Sequence, residues 1–375
     1  MAPLFADKAS AGTDMNQLTS LQRPSPAPVR ARVADDNALL RAAATLTREL
    51  NVASPRIYWA DMLASAAIGY GALFTAILAG PPLVAVLAGV VAILALYRAG
   101  SFIHELTHIK PSALPGFRLG WNLIVGIPLL IPSFLYEGVH NLHHAKTRYG
   151  TAEDPEYLPL ALMKPWTLPL FLVASLLAPV ALLFRFAVLA PLSLLSARLR
   201  SVVVARFSGL QINPAFRRRP AEGDLRRAWH WQEAATSLWA IALLAAVFGG
   251  LVPLRGFAIF LGVASGTMLL NQVRTLVAHL WENDGEAMSV TAQYLDSVNV
   301  PPPGSLPALW APVGLRYHAL HHLLPGLPYH ALGEAHRRLC GELDAGSPYH
   351  RSSHRGLPPL VARLAASSWR GGAKV

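Results

Sequence analysis

Runs of about 20 mostly apolar residues restrict a fold more than any other sequence feature. A helix of that length spans the hydrocarbon of a bilayer, where every backbone polar group must be satisfied internally. Four segments qualify, at roughly 57–79, 82–104, 233–250 and 254–279. Tyr58, Trp59, Trp229 and Trp231 lie near their ends, where amphipathic rings favour the membrane interface. Two further apolar stretches, about 119–136 and 164–196, are interrupted by Pro128, Pro132, Pro165, Pro169, Pro179 and Pro191. Proline removes an N–H donor and breaks or kinks helices, so these stretches are expected to lie in the interface, re-enter or form a hairpin. Charged residues make up only 14% of the chain, against about a quarter in soluble domains. The expectation is an all-α integral membrane protein with about four transmembrane helices plus interfacial or re-entrant helices.

The net charge of +11 does not imply nucleic acid, because the arginines lie in loops beside apolar blocks and not in a separate basic domain. Arg198, Arg200, Arg206, Arg217, Arg218, Arg219, Arg226 and Arg227 crowd one loop, which the positive-inside rule places in the cytoplasm. The start, MAPLFADKAS, has no basic segment followed by an apolar core, so no cleaved secretion signal is expected. Residues 1–55 read as a disordered proline-rich tail followed by a short helix, either interfacial or packed on the protein surface. Residues 56–340 form the membrane-embedded catalytic domain, and 341–375 a basic C-terminal tail. The single cysteine, Cys340, excludes an internal disulfide and any four-cysteine cluster supplied by this chain.

Eight of fourteen histidines fall in three tight clusters: HELTH (His104, His108), HNLHH (His140, His143, His144) and HALHH (His318, His321, His322). Residues spaced i and i+4, or i, i+3 and i+4, project from one helix face, so their imidazoles can converge on one metal. Each cluster lies just beyond an apolar block, and the intervening spans return the chain to one side of the membrane. His279 ends the fourth block and adds a ninth histidine at that surface. Nine nitrogen donors are too many for one tetrahedral zinc but suit two metal ions, and iron, unlike zinc, can activate O2. The clusters thus form a histidine-rich di-metal cap facing the cytoplasm. His230, His330, His336, His350 and His354 are isolated in pattern and read as structural or solvent-facing. Trp121, Trp281 and Tyr317 are candidates to line an acyl tunnel, or equally belt and core residues.

HELTH also satisfies H-E-x-x-H, in which two histidines hold zinc and the glutamate is the general base of a protease. That reading leaves both H-x-x-H-H clusters without a role. A metal transporter would place its ligands within spans near the midplane, and here they lie at span ends and in loops.

Three histidine boxes in this order, around two pairs of spans, resemble the membrane fatty acid desaturase and hydroxylase superfamily over roughly Ile57 to Leu339. The strings TAEDPEYL after the second box, NQVRTLVAH ending in His279, and RYHALHHLLPGLPYH around the third are similar to those of bacterial fatty acid desaturases. The resemblance implies that His104, His108, His140, His143, His144, His279, His318, His321 and His322 ligate two irons. It implies O2 as co-substrate and oxidation of a lipid acyl chain in the bacterial inner membrane. Desaturation is the main expectation, with hydroxylation of a fatty acid, alkane or carotenoid on the same iron site as the alternative. Asp154, Glu156, Arg274 and Thr275 are candidates to orient the ligands. Arg274 and Glu282 flank His279 and are read either as an ion pair or as chains snorkelling to the interface. Stearoyl-CoA-type relatives hold a metal through the water of an asparagine one turn before the residue matching His279. Here that position is Thr275, with Asn271 two turns away, and neither is assigned as a ligand. Electrons would come from a separate ferredoxin or rubredoxin with its reductase, because the chain has no cysteine cluster, no G-x-G-x-x-G and no His-Pro haem motif.

Overall fold

A computed structural model describes residues 33–372, which are helical with no strands beyond isolated bridges. Five helices are long and apolar enough to cross a membrane: α2 (Pro55–Leu78), α3 (Pro82–His108), α6 (Thr167–Ser193), α8 (Gly223–Phe248) and α9 (Leu254–Leu276). Before and between them lie the short helices α1 (Asn37–Leu46), α4 (Phe117–Trp121), α5 (His140–His143) and α7 (Ala197–Phe207). After α9 come α10 (Val290–Asp296), α11 (His318–Leu323), α12 (Leu332–Glu342) and α13 (Leu357–Gly372). The long helices turn apolar side chains outward, among them Leu63, Phe74, Val86, Leu177, Leu238 and Leu254. Exposed leucines on this scale mark a lipid-facing surface.

The fifth such helix, α6, lies in one of the two proline-broken stretches, where an interfacial segment or hairpin was expected. Pro169 falls in its first turn, and a π-helical segment over Arg185–Leu189 accommodates the N–H that Pro191 lacks. The other stretch, 119–136, makes no span. Asn122–Gly126 is a π turn and Leu130 has φ 61°. Its irregular backbone is buried and satisfied by side chains: Ser133 N donates to Asn122 Oδ1 (2.8 Å) and Phe134 N to Gln232 Oε1 (2.8 Å). Non-helical backbone at membrane depth persists only where protein covers it in this way.

Helices α2 and α3 pack around a core containing Tyr58, Met62, Leu96 and Phe102, with Phe117 and Trp121 closing it from α4. A second core, with Leu39, Tyr294, Leu320, Leu332, Leu339 and Tyr349, forms the cap. Helix α1 belongs to this cap: Asp36 accepts from Ala38 N and Leu39 N as its N-cap, and Leu39 and Ala43 bury against α11 and α12. That helix packs on the rest of the protein, and residues 1–32 of the expected tail lie outside the described residues. The stretch expected as a basic C-terminal tail is folded as far as residue 372. Tyr349 and Ser352 are fully buried, and α13 packs Leu360 and Leu364 inward.

Candidate metal centre

The last turn of α3 carries His104 and His108, the single turn of α5 carries His140 and His143 with His144 as its cap, and α11 carries the third cluster. Two glycines allow the turns that aim them. Gly150 has φ 72°, and a Cβ there would lie 2.5 Å from Asn283 Nδ2; its turn folds the chain back beneath α5. Gly314 has φ 71°, and a Cβ there would lie 2.6 Å from Leu332 Cδ1; it turns the chain into α11. An extended strip, residues 296–300, runs between 278–280 and 316–319. Leu280 N donates to Asp296 O (2.7 Å), Val298 N to Ala278 O (2.9 Å) and Ala319 N to Val298 O (3.1 Å). That strip sets His279, past the end of α9, against His318 on α11, with Nε2 atoms 3.0 Å apart.

The nine histidines form two groups. His104, His108, His140, His144 and His321 make one, and His143, His279, His318 and His322 the other, with the ligand atoms of each group within 4.8 Å of one another. Within the first, His144 Nε2 is 3.0 Å from His140 Nε2 and 3.1 Å from His321 Nε2. Within the second, His322 Nε2 is 3.2 Å from His318 Nε2. His104 Nε2 and His108 Nε2 are buried without a hydrogen-bond partner among the described residues. Burial holds His140, His144, His279, His318, His321 and His322 well below their ordinary 6.5, so these rings are neutral. Crowded neutral imidazole nitrogens and orphaned buried donor atoms are what bound cations relieve, so the residues fit a pair of metal ions.

Behind the rings, a layer of polar side chains fixes their orientation. His143 Nδ1 lies 3.0 and 2.9 Å from the Asp154 carboxylate oxygens, and His140 Nδ1 lies 3.0 Å from Glu156 Oε1. These contacts place the proton on Nδ1 and leave Nε2 free to ligate. Burial opposes protonation of His143, yet Asp154 and then Glu156 outweigh it and raise the ring. Burial likewise pushes the Glu156 carboxyl up to about 7, against the lowering by His143. Arg274 Nη2 donates to His318 Nδ1 (3.0 Å). Glu282 pairs with Arg363 (2.8 Å). Thr275 does not orient a ligand: its hydroxyl donates back to Asn271 O (2.9 Å), the usual local bond of a threonine inside a helix.

Several supporting residues escaped the sequence reading. Tyr149 Oη lies 2.8 Å from His279 Nδ1 and donates to Asp296 (3.0 Å), and Ser297 Oγ lies 3.2 Å from the same nitrogen. Tyr136, one turn before His140, lies 2.8 Å from its Nδ1. Asn299, fully buried, accepts from Leu320 N (3.1 Å) and ties α11 to the strip. Only Tyr136 had a visible signal, its i, i+4 spacing. Glu105, the base of the protease alternative, accepts from Tyr58 Oη and Tyr329 N and faces His104 Nδ1 at 3.4 Å. It stands behind His104 and is not among the residues that line the cavity described below. The isolated histidines stay outside both groups: His330 Nε2 accepts from Ser54 N, and His336 pairs with Tyr349 Oη.

A cavity of about 650 Å³ meets both groups, with His140 of the first and His143, His279 and His318 of the second in its wall. Ile103, Ile131, Phe171, Ala178 and Met268 give it apolar sides, and the loop Phe207–Pro214 borders it, flanked by Arg206 and Arg217. Trp281 lines it, held at φ 60° with its ring 4.9 Å from His279, whereas Trp121 and Tyr317 belong to the two cores.

The Fatty acid desaturase family matches residues 77–353. A ceramide hydroxylase of Caulobacter vibrioides (strain NA1000 / CB15N) is 50% identical over 327 residues, which cover 87% of this chain and 93% of that protein. With the three boxes, their geometry and both matches in agreement, the chain belongs to the fatty acid desaturase family.

Proposed function

We propose that this chain is an O2-dependent di-iron oxidoreductase that hydroxylates a hydrocarbon chain of a ceramide-like lipid. Two histidine groups meeting one cavity with apolar sides carry the redox and lipid parts of that reading. The relative that hydroxylates ceramide, similar along nearly all of both chains, favours hydroxylation over the desaturation that the motifs alone suggested. In the overall reaction one oxygen atom of O2 enters a C–H bond as hydroxyl and the other leaves as water. Two electrons and two protons are consumed, the electrons supplied by a separate ferredoxin or rubredoxin with its reductase.

His104, His108, His140, His144 and His321 would hold one iron, and His143, His279, His318 and His322 the other. When bound, the irons supply the O2 chemistry that no side chain can. The chain's own residues do the rest. Asp154, Glu156 and Tyr149 hold protons on Nδ1 of His143, His140 and His279, keeping each Nε2 available. The walls from α3, α6 and α9 align the chain and keep water from the oxidising centre. The arginine-rich stretch between Arg198 and Arg227 favours a site on the cytoplasmic face of the inner membrane and offers a docking surface for an acidic carrier.

The test is product analysis: purified protein, ceramide, ferredoxin, its reductase and NADPH, read by mass spectrometry. A product heavier by one oxygen supports the reading. A product lighter by two hydrogens restores desaturation, and loss of neither product on changing His143 or His321 to alanine refutes the ligand assignment.

A further inference from the structure

Two polar side chains in the cavity wall have no role in holding metal. Thr267 and Gln272, both on α9, are only 7% and 8% exposed, and neither Thr267 Oγ1 nor Gln272 Nε2 has a hydrogen-bond partner among the described residues. An unpaired buried hydroxyl or amide costs about 1–3 kcal/mol, and valine and methionine of similar shape would line a purely hydrocarbon site without that cost. Other polar groups nearby are paired: Ser265 Oγ donates to Leu176 O, Thr275 Oγ1 to Asn271 O, Ser101 Oγ to Tyr97 O, and Tyr97 Oη to Trp310 O.

Their height on the helix limits what they can meet. At a rise of about 1.5 Å per residue, Gln272 lies about 3 Å along the axis from Arg274, whose guanidinium touches His318, and Thr267 about 10 Å. A lipid polar group reaching them is therefore close to the histidines, and not at the far end of an extended chain. Gln272 Nε2 can only donate and needs an acceptor, while the threonine hydroxyl both donates and accepts. A bare hydrocarbon offers neither, an acyl ester or thioester offers acceptors that both groups can use, and a hydroxyl beside an acceptor uses the threonine's donor and acceptor capacity in full. An N-acyl sphingoid lipid carries an amide carbonyl and a hydroxyl within a few bonds of each other.

We propose that Thr267 and Gln272 are specificity-determining residues that hydrogen-bond the hydroxyl and the amide carbonyl of an N-acyl sphingoid lipid, so that oxygen is introduced within a few bonds of the amide. This rests on the ceramide reading above. The hydrocarbon then lies along Ile131, Phe171, Ala174, Ala178 and Met268.

The test compares N-acyl sphinganine with its 3-deoxy analogue on purified holoprotein. Binding is followed by tryptophan fluorescence quenching in detergent, and product position by tandem mass spectrometry. A site built to bond a hydroxyl discriminates against an analogue lacking it, so the wild type should bind the hydroxylated lipid about tenfold more tightly or better. Thr267→Val should bind both alike, and Thr267→Ser, which keeps the hydroxyl, should restore the preference. Gln272→Met should spread the oxygen over several chain positions while iron content stays at the wild-type level. Should the wild type hydroxylate ceramide while Thr267→Val discriminates as well as it does and Gln272→Met gives the same single product, the inference is overturned and the function stands. A wild type that binds the deoxy analogue equally well and oxidises only lipids without an amide overturns both.

Discussion

Replacing Asp154 by asparagine tests whether the layer behind the histidines sets metal affinity. The side chain is fully buried, and its oxygens accept from three donors: His143 Nδ1, Gly150 N (2.8 Å) and Glu156 N (2.8 Å). Each oxygen serves one backbone N–H and faces His143, so an amide in either orientation turns its NH2 group on a backbone donor. It also removes the charge that fixes the His143 proton on Nδ1. Losing one hydrogen bond to a charged group costs about 1.5–3 kcal/mol, which corresponds to about 10–100-fold in affinity. The loss should fall on the group of His143, His279, His318 and His322, with the five-histidine group less affected. The assay is iron content by mass spectrometry after dialysis against ferrous chelators of graded strength, with Glu153→Gln in the same loop but exposed as the control. A retention curve for Asp154→Asn within about twofold of wild type would refute the reasoning.

Acid should destabilise the metal-free protein. His140, His144, His279, His318, His321 and His322 are depressed by burial below 6.5, so their contribution is present above 6.5 and is lost as pH falls and the unfolded chain takes up protons. His143, Glu156 and Glu137 are raised and act oppositely, favouring the fold at low pH and losing that effect as pH rises, but three groups are outnumbered by six. The Tm of chelator-treated protein should fall between about pH 7.5 and 5.5, and a rise contradicts the balance. Asn299→Ala leaves Leu320 N buried without its acceptor. A cost of about 1–3 kcal/mol is expected by thermal or denaturant unfolding, with partial loss of iron from both groups because α11 serves both. Ala178→Phe should fill part of the cavity beside α6, lowering turnover of long-chain lipids more than short ones at unchanged iron content; equal loss for all lengths argues against that path.

The nine histidines were legible in the sequence because metal ligation needs neighbours on one helical turn, and i, i+3, i+4 spacing survives translation into structure unchanged. Span positions were legible for the same reason of locality, since hydrocarbon thickness fixes the length of an apolar run. Proline hid α6: sequence records the missing N–H, whereas the π-helical segment that absorbs it is a backbone adjustment. The partition of the rings into five and four, with His143 leaving its neighbours His140 and His144 for the other group, depends on where α5 lies between α3, α11 and the 296–300 strip. Tyr149, Asp296, Ser297 and Asn299 support histidines or the helix that carries them from far away in sequence, and no local spacing links them. Local periodicity thus determined which histidines cluster and where the long apolar helices run. Only tertiary packing decided how the ligands divide and which polar groups line the cavity, because those depend on contacts between segments that the sequence holds apart.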